Sequence, residues 1–515
     1  MTQETFPFAL SNPLSKMLDK EREDFTRTDL MQVILDKGIE RLGFHYTAMD
    51  GKLKELKIPI SSGSQVEMVL AEGERVDGSS LFKGMVDESL SDLYVVPLYR
   101  SAFINPFEPN SLDFVCRYIT KDGHLAPFAP DTILHKANEL FMKSTGLELY
   151  TMGELEFFLI GNDPQQIFLT QRQHGYHAAS PFIKSGSILN EMIRSITQIT
   201  GDVKYAHSEV GYVDSVRSDL PEIRGKCAEQ LEIEYLPRPV EESADSLVLG
   251  RWLIRNIAYK HGYVATFAPK LEEGVAGNGM HVHMALMKDG NNVMTDEQGD
   301  MSNGAMKLVG GLCKYASSLT AFGNTVSSAY LRLVPNQEAP TRVCWSDLNR
   351  SAMIRVPLGW SKLADLARMI NPQQKESFKR TRQRQTVELR SPDGSAIVHL
   401  LLAGIVMAAQ WGFEDEQSTE LSEKLHVTGN IFKDEKLVGS LSSLPGSCVA
   451  SSRVLAEQRT LYEKQGVFPP SVIDYVVSHL AAQNDENMNA RLADMPADDR
   501  LHETRRIMHS CLHEQ

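Results

Sequence analysis

Gly153-Glu154-Leu155-Glu156-Phe157-Phe158-Leu159-Ile160 is the stretch around which the rest of the chain is organised. Its aromatic and long aliphatic residues predict a β-strand, which ends at the turn residues Gly161-Asn162-Asp163-Pro164. Because side chains at i and i+2 of a strand point to the same face, Glu154 and Glu156 project side by side. Two carboxylates so close repel each other, and a hard divalent cation relieves that repulsion. The pair indicates a metal site, although an exposed edge strand with two solvated glutamates explains the same pattern.

Composition limits the classes of protein to consider. The chain has 515 residues, of which 42% are hydrophobic and 23% charged, as in ordinary folded proteins with several domains. A formal net charge of −14 argues against a general nucleic-acid binder, but it leaves open an enzyme that uses anionic substrates. Six cysteines without CxxC pairs indicate reduced thiols, and we expect a cytoplasmic protein. The apolar segment Ala396 to Phe413 contains His399 and Gln410, so we interpret it as a buried core helix and expect no membrane partner.

The order of sequence patterns predicts four regions. Residues 1–28 are polar and form an N-terminal arm, and residues 29–110 form a small α+β domain. In that domain Asp29 is expected to cap a helix that stops at Gly38, and Asp50-Gly51 between two strand-like runs predicts a hairpin. Residues 111–415 form the larger domain, and residues 416–515 form a helical C-terminal extension.

Further carboxylates and histidines follow the first strand. Glu209 lies two residues after His207 in a strand-like context, and Glu232 and Glu234 share one face of another predicted strand. In Gly279-Met280-His281-Val282-His283 the two imidazoles again lie at i and i+2, with glycines that let backbone groups approach a ligand. Taken alone, the two histidines are equally consistent with a partly exposed surface pair.

Arginines recur in the apolar segments that come later in the chain: Arg332, Arg350, Arg355 and Arg390. A guanidinium in an apolar strand is costly unless it binds an anion, and carboxylates and phosphates are its natural partners. Each arginine alone is more simply explained by a structural salt bridge. Together with the carboxylates and histidines, the four arginines indicate metal-assisted phosphoryl transfer.

The order of these motifs resembles that of the glutamine synthetase family over roughly residues 30–410. The motifs that carry the resemblance are Asp77-Gly78-Ser79-Ser80, Glu154-x-Glu156, His207-x-Glu209, Gly279-Met280-His281-x-His283, Asn336-x-Glu338-Ala339-Pro340, Asn349-Arg350-Ser351-Ala352 and Glu388-x-Arg390-x-Pro392-Asp393. The resemblance implies an α+β fold with a small β-grasp-like N-terminal domain and a larger catalytic domain that contains an antiparallel sheet. It also implies a homo-oligomer, either a hexameric ring or two stacked rings, with active sites between adjacent subunits.

The resemblance further implies the reaction and its cofactors. Glutamate takes the γ-phosphoryl group of ATP, and ammonia then displaces phosphate from γ-glutamyl phosphate, so that glutamine, ADP and phosphate are formed. Two or three divalent cations, Mg²⁺ or Mn²⁺, would assist in each site. The small-molecule substrates are therefore glutamate, ATP and ammonium, with no nucleic-acid partner.

Site residues are transferred one by one from the matching motifs. One metal would be bound by Glu156, Glu209 and Glu232, and the second by Glu154, His281 and Glu388. ATP phosphates would contact His283 and Arg355. Glutamate and the transferred phosphoryl group would contact Gly277, Arg332, Arg350 and Arg390.

The amine subsite follows from two further motifs. Asp77 of the partner subunit, with Ser80 beside it, would help to bind ammonium. Glu338 would shield the intermediate from water and accept a proton from the ammonium. By the same resemblance, Asp77, Glu338 and Arg350 are the catalytic residues.

Several alternatives stay open. The connection between Glu209 and Glu232 is longer than usual in the family, so Glu222 competes with Glu232 as a metal ligand. A γ-glutamyl amide ligase that uses a larger amine, such as a polyamine, is the second interpretation. Asp77 favours ammonia, because a negative group at that position is often lost where a bulky amine enters. A catalytically silent relative is disfavoured by the six retained ligands. Ala276 stands where the family usually has Asn, which puts the amino-acid specificity in doubt.

Overall fold

The computed structural model describes residues 8–86, 91–162, 167–168, 170–335, 337, 339–359, 365–378, 384–429 and 435–514. Within these residues the strands form two mixed sheets. The strands are β1 (Arg41–Thr47), β2 (Leu53–Pro59), β3 (Glu74–Asp77), β4 (Asp92–Pro97), β5 (Phe103–Ile104), β6 (Ser111–Ile119), β7 (Glu148–Gly161), β8 (Val203–Val213), β9 (Cys227–Tyr235), β10 (Arg238–Pro239), β11 (Val264–Thr266), β12 (Val282–Lys288), β13 (Asn291–Asn292), β14 (Trp345–Asp347), β15 (Ile354–Val356) and β16 (Val387–Leu389).

The described residues also form seventeen α-helices. They are α1 (Pro13–Leu18), α2 (Arg27–Lys37), α3 (Gly63–Glu72), α4 (Gly78–Leu81), α5 (Pro130–Thr145), α6 (Gly186–Thr200), α7 (Val240–Lys260), α8 (Asn303–Gly323), α9 (Ala329–Arg332), α10 (Ala367–Ile370), α11 (Val398–Glu414), α12 (Ser418–Lys424), α13 (Glu435–Ser440), α14 (Cys448–Glu463), α15 (Pro470–Ala481), α16 (Met488–Ala493) and α17 (Ala497–Ser510).

The smaller sheet has the strand order β2-β1-β6-β4-β3, with β5 paired to β6. The predicted hairpin at Asp50-Gly51 is present, since β1 and β2 pair antiparallel on either side of it. The predicted cap of α2 is wrong by three residues. Thr26 is the cap and exchanges hydrogen bonds with Asp29 in a capping box, because only that pairing satisfies two free backbone N–H groups at once.

The larger sheet has the order β14-β15-β16-β12-β7-β9-β8. Strand β7 lies in its interior between β12 and β9, and it is antiparallel to both. The sheet therefore excludes the exposed edge strand as an explanation of Glu154 and Glu156. Helix α7 packs behind β7, where a Cβ atom on Gly153 would lie only 2.7 Å from Leu247 Cδ2.

Helix α11 forms the centre of the helical layer and packs against α8 and α5. Almost all of its residues are buried, which confirms the interpretation of this segment as a core helix. No helix among the described residues is long and apolar enough to cross a membrane. All six cysteines lie in described segments and are free thiols.

The predicted domain limits stay predictions. Strand β6, which begins just after the limit placed near residue 110, pairs with β1 and β4 of the smaller sheet. Helices α12 to α17 occupy the region predicted as a helical extension. The last of them, α17, packs against the loop that follows β11, where Arg505 and His509 contact Glu272 and Leu271.

Candidate active site

One large cavity, of about 1560 Å³, opens over the face of the larger sheet. The strand register places carboxylates there in rows, because Glu154 lies opposite Glu234 and Glu156 lies opposite Glu232 across the β7–β9 pair. Side chains from β8, β12, β15 and β16 complete the lining. All six predicted metal ligands line this cavity: Glu154, Glu156, Glu209, Glu232, His281 and Glu388.

Glu154 lies at the centre of one group of these side chains. Its Oε2 atom is 2.7 Å from His281 Nδ1, and its Oε1 atom is 2.9 Å from His283 Nε2. Glu388 Oε1 lies 3.5 Å from His281 Nδ1. Burial by itself raises the pKa of Glu154, but the two imidazoles hold that pKa well below its usual range. His283, predicted beside the ATP phosphates, therefore lies in direct contact with a predicted metal ligand.

Glu156 points into the same space. Its Oε2 atom accepts a hydrogen bond of 2.8 Å from the backbone N–H of Gly279. Ligand atoms of Glu154, Glu156 and His281 lie within 4.8 Å of one another, and a second such group joins Glu154 with His283 and Glu388.

A third group consists of His207, Glu209 and Glu232, again within 4.8 Å of one another. His207 Nε2 lies 3.3 Å from Glu232 Oε2. The resemblance placed Glu156 with Glu209 and Glu232, and the geometry adds His207 as a neighbour of Glu209 and Glu232. The spacing of His207 and Glu209 at i and i+2 on β8 was the sequence signal for this neighbour. Glu222, the rival ligand, is exposed, and its Oε1 atom lies 3.4 Å from Nε2 of His513.

The donor set fits a divalent cation. Burial, and then the nearby Glu154, Glu156 and Glu209 carboxylates, raise the pKa of Glu232 to about 11. Burial is also the main cause that raises the pKa of Glu156 to about 7. The carboxylates form a buried cluster of like charge, which Mg²⁺ or Mn²⁺ would neutralise. Carboxylate oxygens with one or two imidazoles suit both ions, and the individual ligand assignments stay predictions.

The four predicted arginines also line the cavity. Arg355 Nη1 donates to Glu388 Oε2 at 2.8 Å, and Arg390 Nε donates to Glu388 Oε1 at 3.0 Å. Arg332 Nη1 donates to the carbonyl oxygen of Ser391 at 3.0 Å. The arginines thus lie beside the acidic cluster, where they and bound metal together would hold a polyanionic substrate.

Comparison with known families settles the relationship. Residues 38–121 match the model described as "Glutamine synthetase, beta-Grasp domain", and residues 128–495 match "Glutamine synthetase, catalytic domain". The chain belongs to the glutamine synthetase family. It is therefore a ligase of that family, whose members generally use ATP and divalent metal ions.

Individual relatives in the glutamine synthetase family are distant but extend over nearly the whole chain. The glutamine synthetase of Aquifex aeolicus is 28% identical over 493 residues, which are 90% of this chain and 96% of the relative. That of Pyrococcus horikoshii is 30% identical over 404 residues, 78% of this chain and 80% of the relative.

Two solved structures have a fold similar to that of this chain. The Plasmodium falciparum glutamine synthetase has a TM-score of 0.70 at 19% identity, with 92% of this chain and 98% of the other covered. A structure named "Apo GmaS without ligand" has a TM-score of 0.68 at 20% identity, with the same coverage.

Two further predicted site residues of the glutamine synthetase family, Gly277 and Asp77, are not among the predicted metal ligands. Gly277 lines the cavity, and a Cβ atom there would lie 2.4 Å from the carbonyl oxygen of Pro269, so the position has no room for a side chain. Asp77 is exposed at the end of β3 and does not line the cavity. Hydrogen bonds from Ser80 and Ser79 lower the pKa of Asp77 to about 2. Glu338 lies outside the described residues.

The sequence analysis missed a group of aromatic rings around His207. The ring centroid of His177 lies 4.1 Å from that of His207, and the rings of Tyr176 and Tyr205 lie at 5.5 and 5.8 Å. Tyr205 precedes His207 by two residues on β8, which was a usable signal, whereas Tyr176 and His177 come from a loop that no pattern in the sequence connects to β8.

Proposed function

We propose that this protein joins ammonia to the γ-carboxylate of L-glutamate at the expense of ATP, giving glutamine, ADP and phosphate. The observation that carries the proposal is the convergence of six metal-ligating side chains and four arginines on one cavity. Carboxylates and imidazoles alone would indicate only a metal site. The arginines add the capacity to hold carboxylate and phosphate groups at the same place.

The proposed metal ligands are those of the sequence analysis, with His207 and His283 as neighbours that orient them. Glu156, Glu209 and Glu232 would hold one ion, and Glu154, His281 and Glu388 would hold another. Two or three Mg²⁺ or Mn²⁺ ions bound there would supply positive charge to offset the phosphate oxygens. The guanidinium groups of Arg355 and Arg390 both donate to Glu388.

In the first half-reaction the chain binds and orients two anions. Arg332 and the backbone at Gly277 hold glutamate, while His283 and Arg355 orient the ATP phosphates. A γ-carboxylate oxygen attacks the γ-phosphorus, and the bond to the bridging β–γ oxygen breaks. Arg350 and Arg390 contact the transferred phosphoryl group and offset its negative charge.

In the second half-reaction ammonia attacks the acyl carbon and phosphate leaves. Asp77 of the partner subunit binds the ammonium ion, and Glu338 accepts its proton. Because Asp77 lies outside the cavity of its own chain, the proposal requires a homo-oligomer, which we propose to be a hexameric ring or two stacked rings.

A larger amine is the second candidate, and the rings of Tyr176, His177 and Tyr205 beside His207 favour it. Aromatic faces next to carboxylates attract organic ammonium groups. The similar structure named GmaS, a γ-glutamylmethylamide synthetase, is consistent with such an acceptor. An assay of ADP release with glutamate and a panel of amines distinguishes the two candidates.

A further inference from the structure

A second cavity, of about 530 Å³, lies between α17 and the segment 214–226. We call it the α17 pocket. Four arginines line it: Arg217 and Arg224 from the segment, and Arg505 and Arg506 from the helix. His502, His509 and Asp219 are its other ionisable residues. None of these side chains lines the active-site cavity.

Some of the arginine and histidine side chains that line the α17 pocket lie beside carboxylates. Arg505 Nε lies 3.0 Å from Glu272 Oε2, and Arg506 Nε lies 2.7 Å from Glu503 Oε2. His502 Nε2 lies 3.3 Å from Asp219 Oδ2.

The two arginines of the segment have no carboxylate partner among the described residues. Arg224 donates to the carbonyl oxygens of Ser218 and Asp219, at 2.7 and 2.6 Å, so its position is fixed while its charge is not neutralised. Arg217 is exposed at the rim of the pocket. In a chain whose formal net charge is −14, two uncompensated guanidinium groups around a concave surface form a local site for an anion.

Both walls of the α17 pocket continue into the active site. The segment 214–226 connects β8, which carries Glu209, to β9, which carries Glu232. On the other wall, His509 Nε2 donates to the carbonyl oxygen of Leu271 at 2.9 Å, and Arg505 holds Glu272. Those two residues begin the loop that leads to Gly277.

A separate hydrophobic cluster contains residues from both walls of the α17 pocket and from β7. It joins Val216 and Ile223 of the segment, Leu271 of the loop, Leu512 after α17, and Phe158 of β7. Phe158 follows Glu156 by two residues on the strand that carries the metal-ligating carboxylates. The buried side chains of this cluster form a continuous packed connection between the pocket and the active site.

We propose that the α17 pocket binds a small anionic effector through its phosphate or carboxylate groups, and that its occupancy alters the loop 271–277 of the active site. The effector is distinct from the substrates, so this proposal does not depend on which amine the enzyme uses.

Calorimetric titration of the full-length protein with inorganic phosphate, and separately with citrate, tests the binding. Arg217→Gln removes one arginine of the α17 pocket, and Arg355→Gln weakens phosphate binding at the active site. Arg194→Gln, on the exposed face of α6, removes the same charge elsewhere.

We expect a binding event that persists in Arg355→Gln and in Arg194→Gln, and that weakens about tenfold or more in Arg217→Gln. The anion that gives this event identifies phosphate or carboxylate as the recognised group. Failure of both anions to bind Arg355→Gln, or equal affinity in Arg217→Gln and Arg194→Gln, overturns the site. Hydrogen exchange in residues 271–277 of Arg355→Gln should slow when the anion is added, and unchanged exchange overturns the coupling.

Discussion

Glu154 and His281 are joined twice. The backbone N–H of Glu154 donates to the carbonyl oxygen of His281 at 3.1 Å, and the imidazole Nδ1 lies 2.7 Å from the Glu154 carboxylate. The first bond belongs to the pairing of β7 with the residues that lead into β12. This backbone hydrogen bond fixes the position of His281, so the sheet itself orients the imidazole toward the Glu154 carboxylate. The metal-facing carboxylates of β7 are thus held by the sheet.

Glu156→Ala should abolish turnover, because it removes one carboxylate from a hard-metal site and weakens both metal binding and charge compensation. We expect kcat/KM to fall by about 100-fold or more. Calorimetric titration with Mn²⁺ and a coupled ADP-release assay measure the two effects. Glu148→Ala, at the start of the same strand but outside the cavity, is the control. Full activity of Glu156→Ala at low metal concentration would show that the assignment is wrong.

Asp77→Ala should raise the KM for ammonium sharply and the KM for ATP only mildly, because this carboxylate acts on the cation and not on phosphoryl transfer. With its pKa lowered to about 2, Asp77 is ionised throughout the neutral range, so the effect should not vary with pH there. Asp92→Ala is the matched control, since Asp92 lies directly opposite Asp77 in the β3–β4 pair. Equal increases in both KM values would contradict the role of Asp77.

Subunits that carry Asp77→Ala should restore activity to subunits that carry Glu156→Ala. If each site combines Asp77 of the partner subunit with the metal cluster of its own chain, some mixed sites contain both intact residues. A random equal mixture should recover about one quarter of wild-type activity. Activity is measured after co-expression and separation of the mixed oligomers by two different tags. Mixed oligomers as inactive as either parent, or an active monomer by mass measurement, would refute the shared site.

Asp245→Asn should destabilise the fold. Asp245 Oδ2 lies 2.6 Å from Arg117 Nη2, and Oδ1 lies 3.2 Å from His399 Nε2. Although burial raises its pKa, Arg117 and His399 hold the pKa of Asp245 well below the usual range. Loss of the carboxylate leaves the half-buried Arg117 guanidinium with Asp131 as its carboxylate partner, 3.4 Å away, and costs about 2 kcal/mol in the free energy of unfolding.

The pH dependence of this effect has a definite sign. A depressed folded-state pKa stabilises the protein above the unfolded pKa, about 3.9, and the stabilisation is lost as pH falls toward the folded value. The difference between wild type and Asp245→Asn in urea unfolding should therefore be constant near neutral pH and shrink below about pH 4. Glu486→Gln, which removes an exposed pair with Arg453, should leave stability unchanged. A difference that grows on acidification would contradict the assignment.

The sequence was sufficient for residues whose roles follow from local geometry. The period of two along a strand placed Glu154 beside Glu156, and the Asp50-Gly51 turn placed β1 beside β2. The sequence did not predict contacts between segments that are distant along the chain. His283 contacts Glu154, and Tyr176 and His177 surround His207, because of strand pairing and loop paths that no single motif encodes. Asp29 matches the usual composition of a helix cap, but Thr26 is the cap and Asp29 is its reciprocal partner.

The central claim is that this member of the glutamine synthetase family ligates ammonia to glutamate. The direct measurement is ADP release with Mg²⁺ or Mn²⁺, ATP and glutamate, compared across ammonium, methylamine, ethylamine and putrescine, with the amide product identified by mass spectrometry. The account predicts the highest kcat/KM with ammonium, glutamine as the product and no turnover when the metal is removed by chelation. A higher kcat/KM with putrescine or an alkylamine, with the corresponding γ-glutamyl amide as product, would contradict it.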